Sequence, residues 1–355
     1  MGIEVSIKKK LGDFSLSLDL NESSKRIGIL GSSGSGKSMT LKCIAGIECP
    51  DSGRIAVNGR VYYDSASGIN LIPQKRNTGY LFQNYALFPT MSVYKNIASG
   101  LRHKDKEKVK ERVSEMIRKF RLSGLEDRLP SELSGGQQQR TALARIMAYE
   151  PEAILLDEPF SALDMYLKDH MQEELMELLS DYEGLVIMVS HSRDEIFRFS
   201  DRLLIIDEGR VAAHGNTREL FASPGSRAAA RLTGCKNFSH VTVLSDHILR
   251  ADDWGIELKL EGKIPEGTEY IGYRAHEFEP LWGDREENSI RFSLSSKAEL
   301  QFEKNYYIKP EKEDFDRESL ITWFVQRDRW KELSEKGLPT YLKFREKDIM
   351  FLKRS

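Results

Sequence analysis

The residues best suited to chemistry form one short stretch near the amino terminus. It fits the pattern G-x-x-x-x-G-K-[ST], in which glycines let successive backbone N–H groups point at phosphate oxygens. A helix that follows adds roughly half a positive charge at its N-terminus. The pattern predicts that Lys37 reaches the β- and γ-phosphates of a nucleotide and that the Ser38 hydroxyl binds Mg²⁺. Taken alone it indicates ATP or GTP binding, and the alternative is a turn that binds nothing. The stretch and the first residue of the next helix are Gly31, Ser32, Ser33, Gly34, Ser35, Gly36, Lys37, Ser38 and Met39.

Predicted elements on both sides position this stretch. Residues 26–30 have the apolar character of a short buried strand and residues 39–45 that of a helix, which is the context that the pattern requires. Three further strands are predicted at residues 78–82, 153–156 and 185–189. Polar side chains follow each of these strands, namely Gln83, the pair Asp157 and Glu158, and His191.

The composition is that of a globular protein with an ample core. The chain has 355 residues, of which 40% are hydrophobic and 30% charged, and a net charge of −2. We expect no membrane span and no signal peptide, since no apolar run is long enough and the amino terminus lacks an apolar core. Three cysteines without a C-x-x-C pair favour a reducing cytoplasm and disfavour a zinc site. The charge balance lacks the basic excess of a nucleic-acid-binding protein.

A second glycine-containing motif lies in a helical, highly charged region at residues 84–150. Leu133-Ser134-Gly135-Gly136-Gln137 leads into a predicted helix that ends near Tyr149. Together with the phosphate loop, Gln83, Asp157-Glu158-Pro159 and His191, this motif resembles the ATP-binding subunit of ATP-binding-cassette (ABC) transporters. The resemblance covers roughly residues 1–232, and L-S-G-G-Q with a downstream D-E-P is far more specific than the loop alone.

The resemblance implies ATP and Mg²⁺ as cofactors and assigns a role to each polar residue. Ser38 and Asp157 would hold the metal ion, and Gln83 would bond the metal ion or the attacking water and so sense the γ-phosphate. Glu158 would act on the attacking water as general base. His191 would contact the γ-phosphate and hold Glu158 and the water in line. Phe14 is a candidate for stacking on the adenine ring, and a core position is an equal alternative.

The signature motif also implies a partner. Ser134, Gly135 and Gly136 lie at a helix N-terminus, which is a second phosphate-binding feature, although one chain needs only one for a single γ-phosphate. The resemblance therefore implies a head-to-tail homodimer in which each signature closes on the other subunit's ATP. Asp164 would contact the opposite subunit.

The carboxyl-terminal part has a different character. Beyond residue 232 helical periodicity largely stops, and strands are predicted at residues 241–244, 256–260, 270–273, 289–294 and 320–325. The predicted architecture is an α/β phosphate-loop ABC ATPase core with a helical subdomain (residues 1–232, subdomain about 84–150). A small β-barrel accessory domain of OB or TOBE type (residues 233–355) would follow.

The cargo and the remaining partners follow from the same resemblance. Stretches at residues 59–61, 72–76, 79–83, 87–89, 233–237 and 272–276 are similar to molybdate importers. The predicted cargo is therefore molybdate or a related oxyanion, and the alternatives are an iron or polyamine importer or a non-transport ABC ATPase. The implied partners are integral-membrane permease subunits, docked near residues 83–91, and indirectly a substrate-binding protein. The implied location is the cytoplasmic face of the cell membrane, with no nucleic-acid partner.

Overall fold

A computed structural model describes residues 2–101, 105–161, 165–311 and 320–354. The chain forms two compact units, Met1–Arg218 and Glu219–Ser355. The boundary predicted at residues 232 and 233 lies further along the chain. It differs because residues 227–232 form a helix whose Ala230 belongs to the same buried cluster as Cys235, Tyr270 and Leu352 of the second unit.

The first unit contains eleven strands and six helices among its described residues. The strands are β1 (Ile3–Leu11), β2 (Phe14–Glu22), β3 (Arg26–Gly31), β4 (Ser52–Val57), β5 (Arg60–Asp64), β6 (Ile69–Asn70), β7 (Thr78–Leu81), β8 (Ala153–Asp157), β9 (Leu185–Ser190), β10 (Arg202–Asp207) and β11 (Arg210–Asn216). The helices are α1 (Lys37–Ala45), α2 (Val93–Ser99), α3 (Lys106–Lys119), α4 (Gly135–Ala148), α5 (Met165–Leu178) and α6 (Arg193–Phe199). A seventh helix, α7 (Thr217–Ala222), spans the division between the units.

All eleven strands of this unit belong to one sheet, in the order β6-β5-β4-β1-β2-β11-β10-β3-β9-β8-β7. The run from β10 to β7 is parallel throughout. In its register Leu30 pairs with Ser190, and Asp157 with Val189. Because the carboxyl ends of parallel strands meet at one edge of a sheet, the residues that follow β3, β7, β8 and β9 converge there.

The middle of this sheet is buried on both faces. Every residue of β8 and of β9 is buried, as is every residue of β3 except Arg26. Continuous apolar runs of this kind are typical of central parallel strands covered by helices. Strands β3, β8 and β9, all predicted from apolar runs, therefore form the centre of the core, whereas β7 lies at the edge of the sheet and is half-buried.

Helices α2, α3 and α4 pack on one another between β7 and β8 in the sequence. Helix α3 begins after Asp105, whose carboxylate accepts a hydrogen bond from the Glu107 N–H at 3.0 Å. It buries Val113, Met116 and Ile117 and leaves its charged residues largely outward. These buried residues form the face on which the helix packs.

The second unit is rich in strands. They are β12 (Asn237–Ser245), β13 (Ile248–Ala251), β14 (Ile256–Lys259), β15 (Tyr270–Tyr273), β16 (Glu279–Leu281), β17 (Ser289–Glu299), β18 (Glu303–Pro310), β19 (Ile321–Gln326), β20 (Tyr341–Lys343) and β21 (Met350–Leu352). Helices α8 (Arg227–Leu232) and α9 (Trp330–Lys336) accompany them. Each of the five predicted strands corresponds to one of these. The three-residue strands β16, β20 and β21 are too short to show an alternating pattern.

These strands form two five-stranded sheets, β14-β13-β12-β15-β21 and β16-β20-β17-β18-β19. Residues from both sheets share one hydrophobic cluster. Its centre is aromatic, since the ring centroids of Tyr273 and Phe278 lie 4.7 Å apart and those of Trp254 and Phe344 lie 5.3 Å apart. The second unit thus has a core of its own.

Candidate functional site

The phosphate loop lies between β3 and α1, and its glycines satisfy two distinct backbone requirements. Gly36, which caps α1, has φ 104° in the left-handed region that favours glycine. At Gly31 the requirement is close approach, because an added Cβ would lie 2.4 Å from the Ile206 carbonyl oxygen. The loop therefore has the shape that its sequence pattern predicts.

Lys37 points into this loop and is only 4% exposed. Its ammonium donates hydrogen bonds to the carbonyl oxygens of Gly31 at 2.9 Å and Ser32 at 2.8 Å. Burial lowers the pKa of Lys37, and the charges of Glu158 and Asp157 act in the opposite direction. A largely desolvated cation is thus held beside the backbone groups of the loop.

Asp157, the last residue of β8, is the buried centre of a polar cluster. Ser38 Oγ donates to its Oδ1 at 2.7 Å and Tyr80 Oη donates to its Oδ2 at 2.7 Å. Burial and the hydrogen bond to Asp157 raise the pKa of Tyr80, so the phenol remains a donor at neutral pH. Tyr80 was not predicted, since nothing in the sequence shows that β7 and β8 are neighbours.

Glu158 follows at once and faces His191, which follows β9. Glu158 Oε2 lies 3.3 Å from His191 Nδ1, with side-chain exposures of 20% and 52%. The Glu158 N–H donates to the Val189 carbonyl at 3.1 Å, which extends the β8–β9 pairing by one residue. To keep this bond while turning, Glu158 adopts φ 45°, a left-handed conformation that costs a non-glycine residue about 1 kcal/mol.

Gln83 lies two residues beyond β7 and is exposed. The segment after it is held by Arg145 of α4, which donates to the carbonyls of Ala86 at 2.8 Å and Tyr85 at 3.0 Å. Tyr85 is 4% exposed and Phe88 is 45% exposed. The predicted docking surface for a membrane partner therefore excludes the Tyr85 side chain, which is packed, and retains that of Phe88.

A cleft of about 880 Å³ opens beside the phosphate loop. Its lining includes Phe14, Ser32, Ser33 and Gly34. Phe14 is half-buried against the core of the unit, and its Cζ would lie 3.1 Å from a Cβ added at Gly36. Phe14 therefore combines a core contact with a place on the wall of the cleft.

The signature residues Ser134, Gly135 and Gly136 lie at the start of α4. Ser134 Oγ accepts from the Gln137 N–H at 3.3 Å, and Gln137 Oε1 accepts from the Ser134 N–H at 2.9 Å. This capping box leaves the N–H groups of Gly135 and Gly136 without partners inside the helix. Among the described residues no hydrogen bond joins this segment to the phosphate loop. Asp164 lies outside the described residues.

The oxygen atoms of Ser38 and Asp157 are the hard ligands that Mg²⁺ prefers. Across residues 2–101, 105–161, 165–311 and 320–354, no three His, Cys, Asp or Glu side chains cluster as a metal site. Mg²⁺ is commonly held by one or two protein oxygens together with substrate phosphates. The Ser38–Asp157 pair fits that mode of binding.

The polar groups of the second unit that could bind an oxyanion are already bonded within it. Asn237 Nδ2 donates to the carbonyls of Tyr273 at 3.1 Å and Thr322 at 2.9 Å. Ser239 Oγ donates to the His240 carbonyl at 2.8 Å, and His240 Nδ1 lies 2.9 Å from Asp253 Oδ2. Arg274 donates to the Thr233 carbonyl at 2.9 Å. Each of these four residues thus already has a partner within the unit.

Comparisons with known proteins match the first unit and, for the curated relatives, extend beyond it. Residues 14–161 match the family model described as ABC transporter. The sulfate/thiosulfate import ATP-binding protein CysA of Synechococcus elongatus is 39% identical over 257 residues, which cover 71% of this chain and 72% of that protein. The spermidine/putrescine import ATP-binding protein PotA of Haemophilus influenzae is 37% identical over 264 residues, which cover 73% of this chain and 68% of that protein.

A solved structure agrees with these matches. The dimeric structure of MJ0796, a bacterial ABC transporter cassette, is 26% identical with a TM-score of 0.51, and the match covers 61% of this chain and 99% of that one. Neither of the two relatives is named for molybdate, so they do not support the molybdate prediction. No helix in the part of the chain that the structure describes has the length and apolar character needed to cross a bilayer.

The backbone at Glu158 generates a prediction about stability. Because its φ is 45°, Glu158→Gly should have a free energy of unfolding about 1 kcal/mol higher than Glu158→Ala. At Glu111, an exposed position within α3, the order should reverse, with Ala about 1 kcal/mol more stable than Gly. Urea denaturation of the four ligand-free variants measures both differences. The same order at both positions would refute the strain at Glu158.

Proposed function

Because this chain belongs to the ATP-binding proteins of ABC transporters, as its motifs predicted, we propose that it powers the import of a tetrahedral oxyanion. Molybdate and sulfate are the cargoes to test first. Membership of this family supports ATP hydrolysis and the α/β ATPase fold of the first unit. What we propose beyond it is the cargo, the roles of individual residues and the partners.

The sulfate/thiosulfate relative supports the oxyanion cargo, and the observation that carries the proposed ATP hydrolysis is the convergence at the carboxyl edge of the parallel strands. Lys37 and Ser38 come from the first turn of α1, just after the loop that follows β3, Asp157 and Glu158 from the end of β8, and His191 from the end of β9. Ser38 and Asp157 are in contact at 2.7 Å, and Glu158 and His191 at 3.3 Å. Phosphoryl transfer requires mainly positioning and charge neutralisation, which this set of groups can supply.

Each of these residues has a separate task in the proposed reaction. Lys37 exchanges the carbonyls of Gly31 and Ser32 for the β- and γ-phosphate oxygens, whose negative charge it neutralises. Glu158 accepts a proton from the attacking water, and His191 holds the Glu158 carboxylate in place. Ser38 and Asp157, with Gln83 as a further oxygen ligand, would hold Mg²⁺, which when bound neutralises phosphate charge.

The nucleoside would occupy the cleft beside the loop. The backbone N–H groups of residues 31–39 surround the phosphates, and the Phe14 ring offers an apolar surface for the base. An aromatic ring stacked on a base contributes about 1–3 kcal/mol. Phe14 is the only aromatic residue that lines this cleft in the described part of the chain.

The functional unit would be a head-to-tail homodimer. The free N–H groups of Gly135 and Gly136 form a phosphate-binding helix start that the chain's own loop does not use. The similar bacterial cassette was solved as a dimer. Ser134, Gly135 and Gly136 of one subunit would bind the γ-phosphate of the other's ATP, with Asp164 near the contact.

The proposed setting is the cytoplasmic face of the cell membrane, where permease subunits would receive the exposed Phe88 and a substrate-binding protein would deliver cargo. Residues 1–232 would form the nucleotide-binding domain, with residues 84–150 as its helical subdomain. Residues 233–355 would form an accessory domain of OB or TOBE type. Since Asn237, Ser239, His240 and Arg274 already have partners within this unit, its role would be structural or in contacts with the dimer mate.

A polyamine is the second candidate cargo. The specific observation in its favour is the spermidine/putrescine relative, whose match covers 73% of this chain against 71% for the sulfate/thiosulfate relative. Cargo is selected by other subunits of a transporter, so the ATP site is compatible with either. Uptake must decide between them.

Replacing Glu158 by Gln should reduce kcat for ATP hydrolysis about 10²–10⁴-fold, because the amide cannot accept the proton of the attacking water. The affinity for ATP should be retained. Lys37→Ala should instead abolish nucleotide binding, since it removes the charge aimed at the phosphates. A phosphate-release assay and equilibrium nucleotide titration measure the two effects. A loss in kcat below tenfold for Glu158→Gln would contradict the general-base assignment.

Mixing two inactive subunits tests the shared site. Gly136→Asp disrupts the signature, and Lys37→Ala disrupts the phosphate loop. In a mixed dimer, the intact loop of the Gly136→Asp subunit faces the intact signature of the Lys37→Ala subunit, so one of the two sites is complete. We expect ATPase activity above that of either variant alone. In Gly136→Asp the Met171 sulfur, 2.9 Å from the added Cβ, must shift, and circular dichroism should check folding. Folded variants that show no complementation, with no ATP-dependent dimer in Glu158→Gln, would refute the proposed assembly.

The cargo proposal predicts a defect in cells. Deleting the gene should depress uptake of radiolabelled molybdate or sulfate at low external concentration and leave spermidine and iron uptake unchanged. Complementation with Glu158→Gln should fail to restore uptake, whereas the wild-type gene should restore it. Impaired spermidine or iron uptake with normal oxyanion uptake would contradict the oxyanion proposal and indicate a polyamine or an iron importer, respectively.

A further inference from the structure

A buried carboxylate lies directly behind the turn that presents His191. Glu195, in the first turn of α6, is 5% exposed. Its Oε2 accepts a hydrogen bond of 2.6 Å from Ser190 Oγ, and Ser190 is itself buried. The carboxylate therefore bonds to the residue immediately before His191.

The residue after His191 belongs to the same network. Ser190 Oγ also accepts a hydrogen bond from the Ser192 N–H at 2.9 Å. Ser192 Oγ in turn accepts from the Glu195 N–H at 3.4 Å. We refer to residues 190–192 as the His191 turn. Both neighbours of His191 are thus tied to Glu195, while the imidazole itself points away and reaches Glu158 at 3.3 Å.

The electrostatic surroundings show that this arrangement has a cost. A buried carboxylate loses several kcal/mol of hydration unless it is paired and hydrogen-bonded. The one cation within 4 Å of Glu195 among the described side chains is Lys168 of α5, whose Nζ lies 3.9 Å from Oε1. A negative charge near the positive end of the α6 dipole does not have to be buried, and the exposed Asp194 already supplies one. The helix dipole therefore does not account for the burial of Glu195, whereas its hydrogen bonds to the His191 turn do.

We propose that Glu195 is a positioning residue for ATP hydrolysis. Through Ser190 and Ser192 it fixes the backbone on both sides of His191, so that the imidazole stays within reach of Glu158 and of a bound γ-phosphate. This inference rests on the proposed function, because it assigns Glu195 to the step that His191 assists. Misplacement of a reacting group by about 1 Å can cost on the order of 10²-fold in rate.

The test is a double-mutant cycle on the full-length protein. Glu195→Leu and Ser190→Ala should each lower kcat for ATP hydrolysis about 10-fold or more and leave the KM for ATP nearly unchanged. In a His191→Ala background neither should cause a further loss, because both act through the same imidazole. Glu195→Gln should keep most of the wild-type rate, since its amide oxygen can still accept the Ser190 hydrogen bond. Ser190→Thr should do the same by retaining a hydroxyl.

Glu22→Leu is the matched control. Glu22 is also a buried carboxylate and accepts from Arg202 Nε at 2.6 Å and lies 3.0 Å from His214 Nε2, but it is in β2 and not in the His191 turn. This substitution should lower the thermal unfolding midpoint and have the same small effect on kcat with or without His191. A general loss of stability is thereby separated from loss of positioning. If Glu195→Leu does not fold, Ser190→Ala, which removes one oxygen atom, decides the matter.

The outcomes distinguish the two proposals. Full kcat in folded Glu195→Leu or Ser190→Ala, beside a slow His191→Ala, would overturn the positioning role alone. The positioning role would also be overturned if Glu195→Leu or Ser190→Ala lowered kcat in the His191→Ala background by the same factor as in the wild-type protein. A wild-type protein without ATPase activity would overturn the proposed function and this inference with it. A His191→Ala variant with the full rate would overturn the role assigned to His191, and with it this inference, while leaving ATP-driven import in place.

Discussion

The parallel pairing of β3, β7, β8 and β9 is the constraint on which the site depends. Its register places the end of β3 beside that of β9 and the end of β8 beside Val189. Side chains from three separate loops therefore lie at one edge of the sheet without any loop having to be long. Because β3, β8 and β9 are buried along almost their whole length, a shift of one residue in their pairing would move every side chain to the opposite covered face and separate the site residues together.

Without a ligand, the charged side chains at this edge are paired with neighbouring polar groups of the protein. The Lys37 ammonium bonds to loop carbonyls, Asp157 accepts two hydroxyl hydrogen bonds, and Glu158 faces His191. Each of these bonds can be exchanged for one to a phosphate, a metal ion or water. The strained backbone at Glu158 (φ 45°) and the hydrogen bonds behind His191 fix the backbone positions from which these two side chains project.

The signature helix α4 differs from the phosphate loop in that some of its N-terminal N–H groups have no partner within the helix. Its N-terminal donors are capped by side chains of its own first turn, yet Gly135 and Gly136 retain N–H groups that the loop of the same chain does not use. In the proposed homodimer, the start of the signature helix and the phosphate loop of one chain would each serve the other copy by symmetry. The second unit, with its own aromatic core, adds a separately folded body in which the candidate anion donors are already bonded.

The sequence by itself determined the phosphate loop, the polar residues after three apolar strands, the signature motif and the family. It could do so because these depend on local spacing and on hydrophobic runs, which backbone geometry converts directly into turns and strands. Only the tertiary structure decided which strands are neighbours, and hence that Tyr80 bonds to Asp157 and that Glu195 lies behind His191. It also packed Tyr85 inside and placed the boundary between the units after Arg218. These features arise from contacts between residues far apart in the chain or between buried side chains, and no local pattern encodes them.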